Sequence, residues 1–237
     1  AAGDPARNPA ETLAFWGVKP GQKTLEISPG SGYWTEILAP YAKATGGAYS
    51  AGVADLSNPK LSEGARKGRA AFEAKYADAA VWAPITYVNF GPVSGPLGAP
   101  GSLDLGITAR NIHNWLWTPG VLDKAMSDFF AVLKPGGVLA VEEHRADPRP
   151  QVADAKDGYV ATSVVIAAAE KAGFKLAAKS EVNANPKDTK DHPFGVWTLP
   201  PSRQSSANGQ PADPAFDRAK YDAIGESDRM TLRFVKP

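Results

Sequence analysis

Short aliphatic and β-branched runs alternate with amphipathic helical stretches along most of the chain. That alternation restricts the fold more than any other feature. Runs that read as strands lie at 23–27, 47–53, 85–90, 103–108 and 138–142, with two more at 174–182 and 229–235. Between them, apolar residues recur with helical spacing: Trp34, Ile37, Leu38 and Tyr41 follow i, i+3, i+4, i+7. Thr118-Pro119 opens a helix with Leu122, Met126, Phe129, Phe130 and Leu133 on its buried side, and Lys134-Pro135-Gly136-Gly137 stops it. Residues 62–79 read as an exposed helix and 158–172 as another, closed by Gly173. Near the start, Asn8 is placed to cap a helix, Pro9 suits its first position, Glu11 sits three after the cap and Gly17 ends it. The pattern predicts an α/β fold, a seven-stranded and mostly parallel sheet with helices on both faces.

Composition narrows the function classes. The 237 residues carry a net charge of +1, which gives no electrostatic case for nucleic acid or a lipid surface. No apolar run is long enough for a membrane span. There are no cysteines, so disulfides, thiolate metal sites and cysteine nucleophiles drop out together. The opening Ala1-Ala2-Gly3-Asp4-Pro5 looks like the small-residue end left by signal-peptide removal. The expectation is a periplasmic or secreted protein, with a cytoplasmic one as the alternative.

The first strand runs straight into a glycine turn, LEISPGSGYW at residues 25–34. A phosphate loop would need Gly-x-x-x-x-Gly-Lys-Ser/Thr, which is absent. A dinucleotide site would need a third glycine where Thr35 stands, although Gly30, Gly32 and a later acid, Asp55, keep that reading open. G-x-S-x-G does not occur, so there is no hydrolase elbow.

A third reading fits more of the chain. Glu26-x-Ser28-x-Gly30-x-Gly32 resembles the first motif of class I S-adenosylmethionine-dependent methyltransferases, with Ser28 in place of the family's first glycine. SLDLGITARNIHNW resembles the family's fourth-strand motif, FFAVLKPGGVLAVEEH its helix-to-strand junction, AEKAGF the lead into its sixth strand and RMTLRFVKP its closing strand. The pieces come in the family's order over residues 9–182 and 229–237. More narrowly, the chain resembles predicted bacterial methyltransferases that carry export signals. The resemblance implies a Rossmann-like sheet with its last strand antiparallel. It also implies a single methyltransferase-like domain over 1–237, with an insertion at 183–228 that holds a short helix near 214–224.

The resemblance implies a cofactor, S-adenosylmethionine, lying over Glu26, Ser28, Gly30 and Gly32, with Tyr33 facing it. It departs from the family at two acids. The ribose-gripping acid falls on or near Val53, and Asp55, two residues later, could substitute through a bulged turn. The adenine-side acid is replaced by Asn89, with Phe90 placed to lie against the ring.

Open parallel sheets bind ligands beyond the carboxyl ends of their strands. There, after strand four, His113 is the candidate general base, and Asn111 and Asn114 could orient a substrate. His144 after strand five, and His192 and Trp197 in the long segment, are candidate substrate contacts. Glu142, Glu143 and His144 alternate between faces if still in the strand, so they make no metal site by themselves. The expected function is methyl transfer to an oxygen or nitrogen of a small molecule. Its rivals are a non-catalytic binding protein on the same scaffold and, more weakly, an NAD-dependent oxidoreductase.

Overall fold

The computed structural model describes residues 3–151 and 154–237; the Ala1-Ala2 start of the cleavage-site reading lies outside them. Seven strands form one sheet: β1 Lys23–Ile27, β2 Ala48–Ala54, β3 Ile85–Phe90, β4 Leu103–Ala109, β5 Leu133–His144, β6 Lys175–Ser180 and β7 Arg229–Val235. The helices are α1 Asp4–Arg7, α2 Pro9–Trp16, α3 Thr35–Thr45, α4 Glu63–Lys75, α5 Ala79–Trp82, α6 Ile112–Trp115, α7 Val121–Val132, α8 Thr162–Lys171 and α9 Arg218–Asp222. The sheet order is β3-β2-β1-β4-β5-β7-β6. β1 pairs parallel with both β2 and β4, β2 with β3, and β4 with β5, whereas β7 runs antiparallel to β5 and β6.

Two apolar clusters cover the two sheet faces. On one, Trp16, Trp34, Leu38 and Phe72 bring α2, α3 and α4 against Tyr49 and Ile107. On the other, Met126, Phe129 and Val165 bring α7 and α8 against Leu25, Leu139 and Leu232. The helical spacings read from the sequence face these clusters, except that Tyr41, at the end of the α3 stripe, lies in neither.

Local differences have local causes. Asn8 does not cap α2: its backbone is left-handed (φ 38°), and its side chain instead donates to the Val182 carbonyl at 2.7 Å. β5 starts directly after α7, at Leu133. Its register shifts between Leu103↔Leu133 and Leu105↔Val138, so an irregularity in the Lys-Pro-Gly-Gly run absorbs the extra residues. β2 runs to Ala54, which puts Asp55 immediately past the strand end with no need for a bulged turn. Between β6 and β7 the long segment holds a 3₁₀ turn at Gly195–Thr198 and α9.

Chain direction across the sheet switches between β1 and β4. The crevice beyond the carboxyl ends of these two strands is the ligand position in open α/β sheets. The residues that border it are Ser28 to Gly30 on one side and Arg110 to His113 on the other.

Candidate functional site

The glycine turn is built to bring backbone up to open space at one position. Ser28 sits at φ 54°, the left-handed region that glycine takes at no cost, and its N–H donates to the Gly52 carbonyl at 2.8 Å. A Cβ on Gly30 (φ 60°) would meet nothing within 4 Å, and Gly30 borders two cavities. Gly32 serves packing instead. A Cβ there would lie 1.8 Å from the Tyr76 hydroxyl, and Gly32 lines neither cavity.

The larger cavity, about 400 Å³, lies beyond β2 and β3 and is walled by Val53, Phe72, Phe90, Trp115 and Val121. The Phe90 and Trp115 rings are 5.5 Å apart, tilted by 57°. Asp55 is the acid at this site and is 1% exposed. Its Oδ1 accepts from the Ser57 N–H at 2.9 Å and the Ser57 hydroxyl at 2.6 Å. Its Oδ2 is buried with no hydrogen-bond partner among the described residues. An unmet buried oxygen costs roughly 1–3 kcal/mol, which a donor on a bound molecule would recover.

The smaller cavity, about 200 Å³, adjoins the first over Ser28-Pro29-Gly30. Glu26, Tyr33, Arg110, His113 and His144 line it, and Val196, Trp197 and Pro200 to Ser202 of the long segment cover it. Glu26 Oε2 accepts from the Tyr49 hydroxyl at 2.5 Å and from Thr35 at 3.2 Å. Burial nevertheless dominates and pushes the Glu26 carboxyl up to about 7. The Tyr33 hydroxyl donates to Asp4 at 2.8 Å, and the Arg7 guanidinium lies 4.3 Å over its ring. Its phenol is raised well above the usual range, first by burial and then by Asp4.

His113 is fixed from behind. Its Nδ1 lies 2.9 Å from Glu143 Oε1. The same carboxylate, fully buried, accepts from the backbone N–H groups of Ile112 (2.5 Å), His113 (3.3 Å) and His144 (2.8 Å). A carboxylate already holding three N–H donors keeps the imidazole proton on Nδ1. Nε2 then carries the lone pair, on a ring that borders the smaller cavity. The His144 ring lies 5.3 Å from that of His113, with Nδ1 at 2.5 Å from the Ser227 hydroxyl. Burial holds His144 well below the ordinary histidine range, reinforced by the charges of Arg229, Arg110 and Arg7.

The alternation of β5 therefore understates what the fold assembles. Glu142 points to Arg229 at 3.0 Å, whereas Glu143 and His144 meet His113 from the neighbouring strand, their ligand-capable atoms within 4.8 Å of one another. The group has the composition of a cation site. Its chemistry runs the other way: Glu143 spends both oxygens on N–H donors, and arginines crowd the same cavity.

Of the residues expected from sequence, the smaller cavity gathers Glu26, Tyr33, Asn111, His113, His144 and Trp197. The larger gathers Asp55, Phe90 and Asn114, so Asn114 faces the cavity away from His113. Ser28 and Gly30 border both. The Asn111 amide is spent on structure, donating to the Ile27 carbonyl at 3.0 Å and the Ala109 carbonyl at 3.1 Å. Asn89 lines neither cavity, because its side-chain oxygen accepts from Arg69. His192 also lies outside both. It is buried against Asp188 at 2.8 Å, where Tyr159 also donates, and the three pin the long segment in place. Sequence reasoning did not identify Arg110 as a site residue, Glu143 as the partner of His113, or Ser227 as that of His144. Only the adjacency of Arg110 to His113 in the run after β4 signals any of them.

No known sequence family and no curated protein matches the chain. Solved structures do. The [4+2]-cyclase SpnF superposes with a TM-score of 0.63 at 16% identity, over 98% of this chain and 81% of that one. An S-adenosylmethionine-dependent methyltransferase from Mesorhizobium loti gives 0.56 at 15% identity, over 98% of each chain. The N-methyltransferase NodS from Bradyrhizobium japonicum gives 0.56 at 16% identity, over 99% of this chain and 98% of that one. The likeness shows the fold: this chain has the Rossmann-like sheet of the class I methyltransferases, as the motif order anticipates.

Proposed function

We propose that the protein is an S-adenosylmethionine-dependent methyltransferase acting on an oxygen or nitrogen of a small molecule. One observation carries this reading: two cavities meet over Gly30, one with aromatic walls and an unpaired Asp55 oxygen, the other with a buried Glu26 and an oriented His113. The residues fit the cofactor at both ends. Asp55 Oδ2 would accept from a ribose hydroxyl, and Phe90 and Trp115, in contact with each other, would form an aromatic wall for the base. Gly30 lets the backbone approach closely. Glu26, whose carboxyl burial raises to about 7, would be favoured in its ionised form by an ammonium group. The methyltransferase-fold neighbours support the same reading.

When bound, the cofactor supplies an electrophilic methyl group on a sulfonium. The chain contributes positioning, proton handling and exclusion of water. His113 Nε2 takes the proton leaving the acceptor's O–H or N–H, while Glu143 carries the imidazolium that results. Val196, Trp197 and the Pro200-Pro201 turn cover the acceptor.

The reading is tested at Asp55. Asp55→Ala is expected to weaken S-adenosylhomocysteine about 10- to 100-fold, the worth of hydrogen bonds to a charged group. Thermal shift against ligand concentration measures it, and an unchanged affinity contradicts the assignment. A second reading, a binding protein without turnover, draws on the Asn89 amide being held by Arg69, which leaves no acid at the adenine end. The fold also serves a protein named as a cyclase. Cofactor consumption in the presence of candidate acceptors separates the two.

A further inference from the structure

We propose that Arg110 is the receptor for a carboxylate on a molecule bound in the smaller cavity. The inference rests on the reading above for what that molecule is, but not for the binding of the anion.

Arg110 follows β4 at φ 59°, a conformation that L residues rarely adopt. It is held there from both sides: its N–H donates to the Glu142 carbonyl at 2.8 Å, and the Asn111 amide ties the next residue to the Ile27 carbonyl at 3.0 Å. Such strain is found where a side chain must be aimed. The side chain borders the smaller cavity, and its buried Nε has no hydrogen-bond partner among the described residues. Among the described residues it forms no close ion pair, although Glu142, both of whose oxygens lack a hydrogen bond, and Glu226 act on it at longer range. Glu142 is paired with Arg229 at 3.0 Å, and Glu226 with Arg7 at 3.0 Å and with Arg229. Glu143 is given to N–H donors, and Glu26 to Tyr49 and Thr35. Arg110 is thus a guanidinium without a close ion pair in a covered cavity, beside two imidazoles whose Nδ1 atoms are already engaged.

A cation would meet Arg110, Arg229 and Arg7 in the same region, whose charges add to the burial that lowers His144. An anion meets the complementary field. Among anions, a planar carboxylate matches the guanidinium fork, which can donate two parallel N–H bonds to it. Two sources supply that chemistry: the amino-acid end of the cofactor reaching past Gly30, or an acidic methyl acceptor under Trp197.

Three probes distinguish them by titration calorimetry on the whole chain. These are S-adenosylhomocysteine, 5′-methylthioadenosine (the same nucleoside thioether without the amino and carboxyl groups) and benzoate. Arg110→Gln is expected to lose about 10- to 100-fold in affinity for S-adenosylhomocysteine or for benzoate while binding 5′-methylthioadenosine as the parent does. Loss on S-adenosylhomocysteine assigns the cofactor's carboxylate, and loss on benzoate assigns the acceptor's. Arg110→Lys, which keeps charge but not the fork, should fall between. Carboxylate probes bound equally by all three proteins, or by none, overturn the proposal. A parent that binds benzoate through Arg110 but neither nucleoside upholds it and overturns the methyltransferase reading instead.

Discussion

Glu143→Ala is expected to lower the unfolding free energy by about 3–5 kcal/mol, the scale for leaving several buried N–H donors without their acceptor. The carboxylate is fully buried, and four donors converge on it: the N–H groups of Ile112, His113 and His144 and the His113 ring. Each donor left unmet costs roughly 1–3 kcal/mol, and partial relaxation keeps the total below their sum. The substitution also loosens α6 from β5, so the turn that carries Arg110 to His113 loses one of its anchors and keeps those at Arg110 and Asn111. Urea unfolding measures the loss. A change under about 1 kcal/mol would mean that Glu143 is not the buried acceptor that orients His113.

Glu26→Gln is expected to act in the opposite direction. Burial raises the carboxyl from 4.5 to about 7. Between those values the folded chain binds more protons than the unfolded one, so this group's contribution to stability falls as pH rises through the window. The penalty is full above pH 7 and absent below 4.5; the shift corresponds to about 3 kcal/mol. Glutamine keeps an acceptor for Tyr49 and Thr35 without the buried charge, so the variant should be more stable than the parent at pH 8 and no more stable at pH 4. His144 titrates with the reverse sign: it is held neutral in the fold, so its contribution is lost as pH falls through the unfolded value of 6.5. That contribution is common to both proteins and cancels in the difference. The same variant should bind S-adenosylmethionine more weakly, which is the trade a buried ligand-binding acid makes between stability and function. Equal stability of the two proteins at pH 8 would contradict the assignment.

The sequence discloses what depends on neighbours along the chain. β1, β3 and β7 fall where the apolar runs place them, and the helical stripes read from spacing, Tyr41 apart, face the two core clusters. Gly30 and His113 are legible for the same reason, since each stands at a strand end that local pattern marks. Asp55 was legible as an acid and misplaced only because β2 runs one residue further. What sequence could not disclose depends on pairing between distant segments. Whether Asn89 reaches a ligand is decided by Arg69 on α4, and whether His192 does is decided by Asp188 and Tyr159. Arg110 lacks a close ion pair because Glu142 and Glu226 lie against Arg229 and Arg7, from opposite ends of the chain.

The most direct measurement is titration calorimetry of S-adenosylmethionine into the parent protein and into Gly30→Arg. The account predicts saturable binding to the parent. It predicts none to the variant, whose side chain would fill the junction where the two cavities meet; because Gly30 sits at φ 60°, which an L residue adopts only with strain, the variant is first shown to be folded by circular dichroism. Binding that survives in Gly30→Arg, or a folded parent that gives no heat, would contradict it.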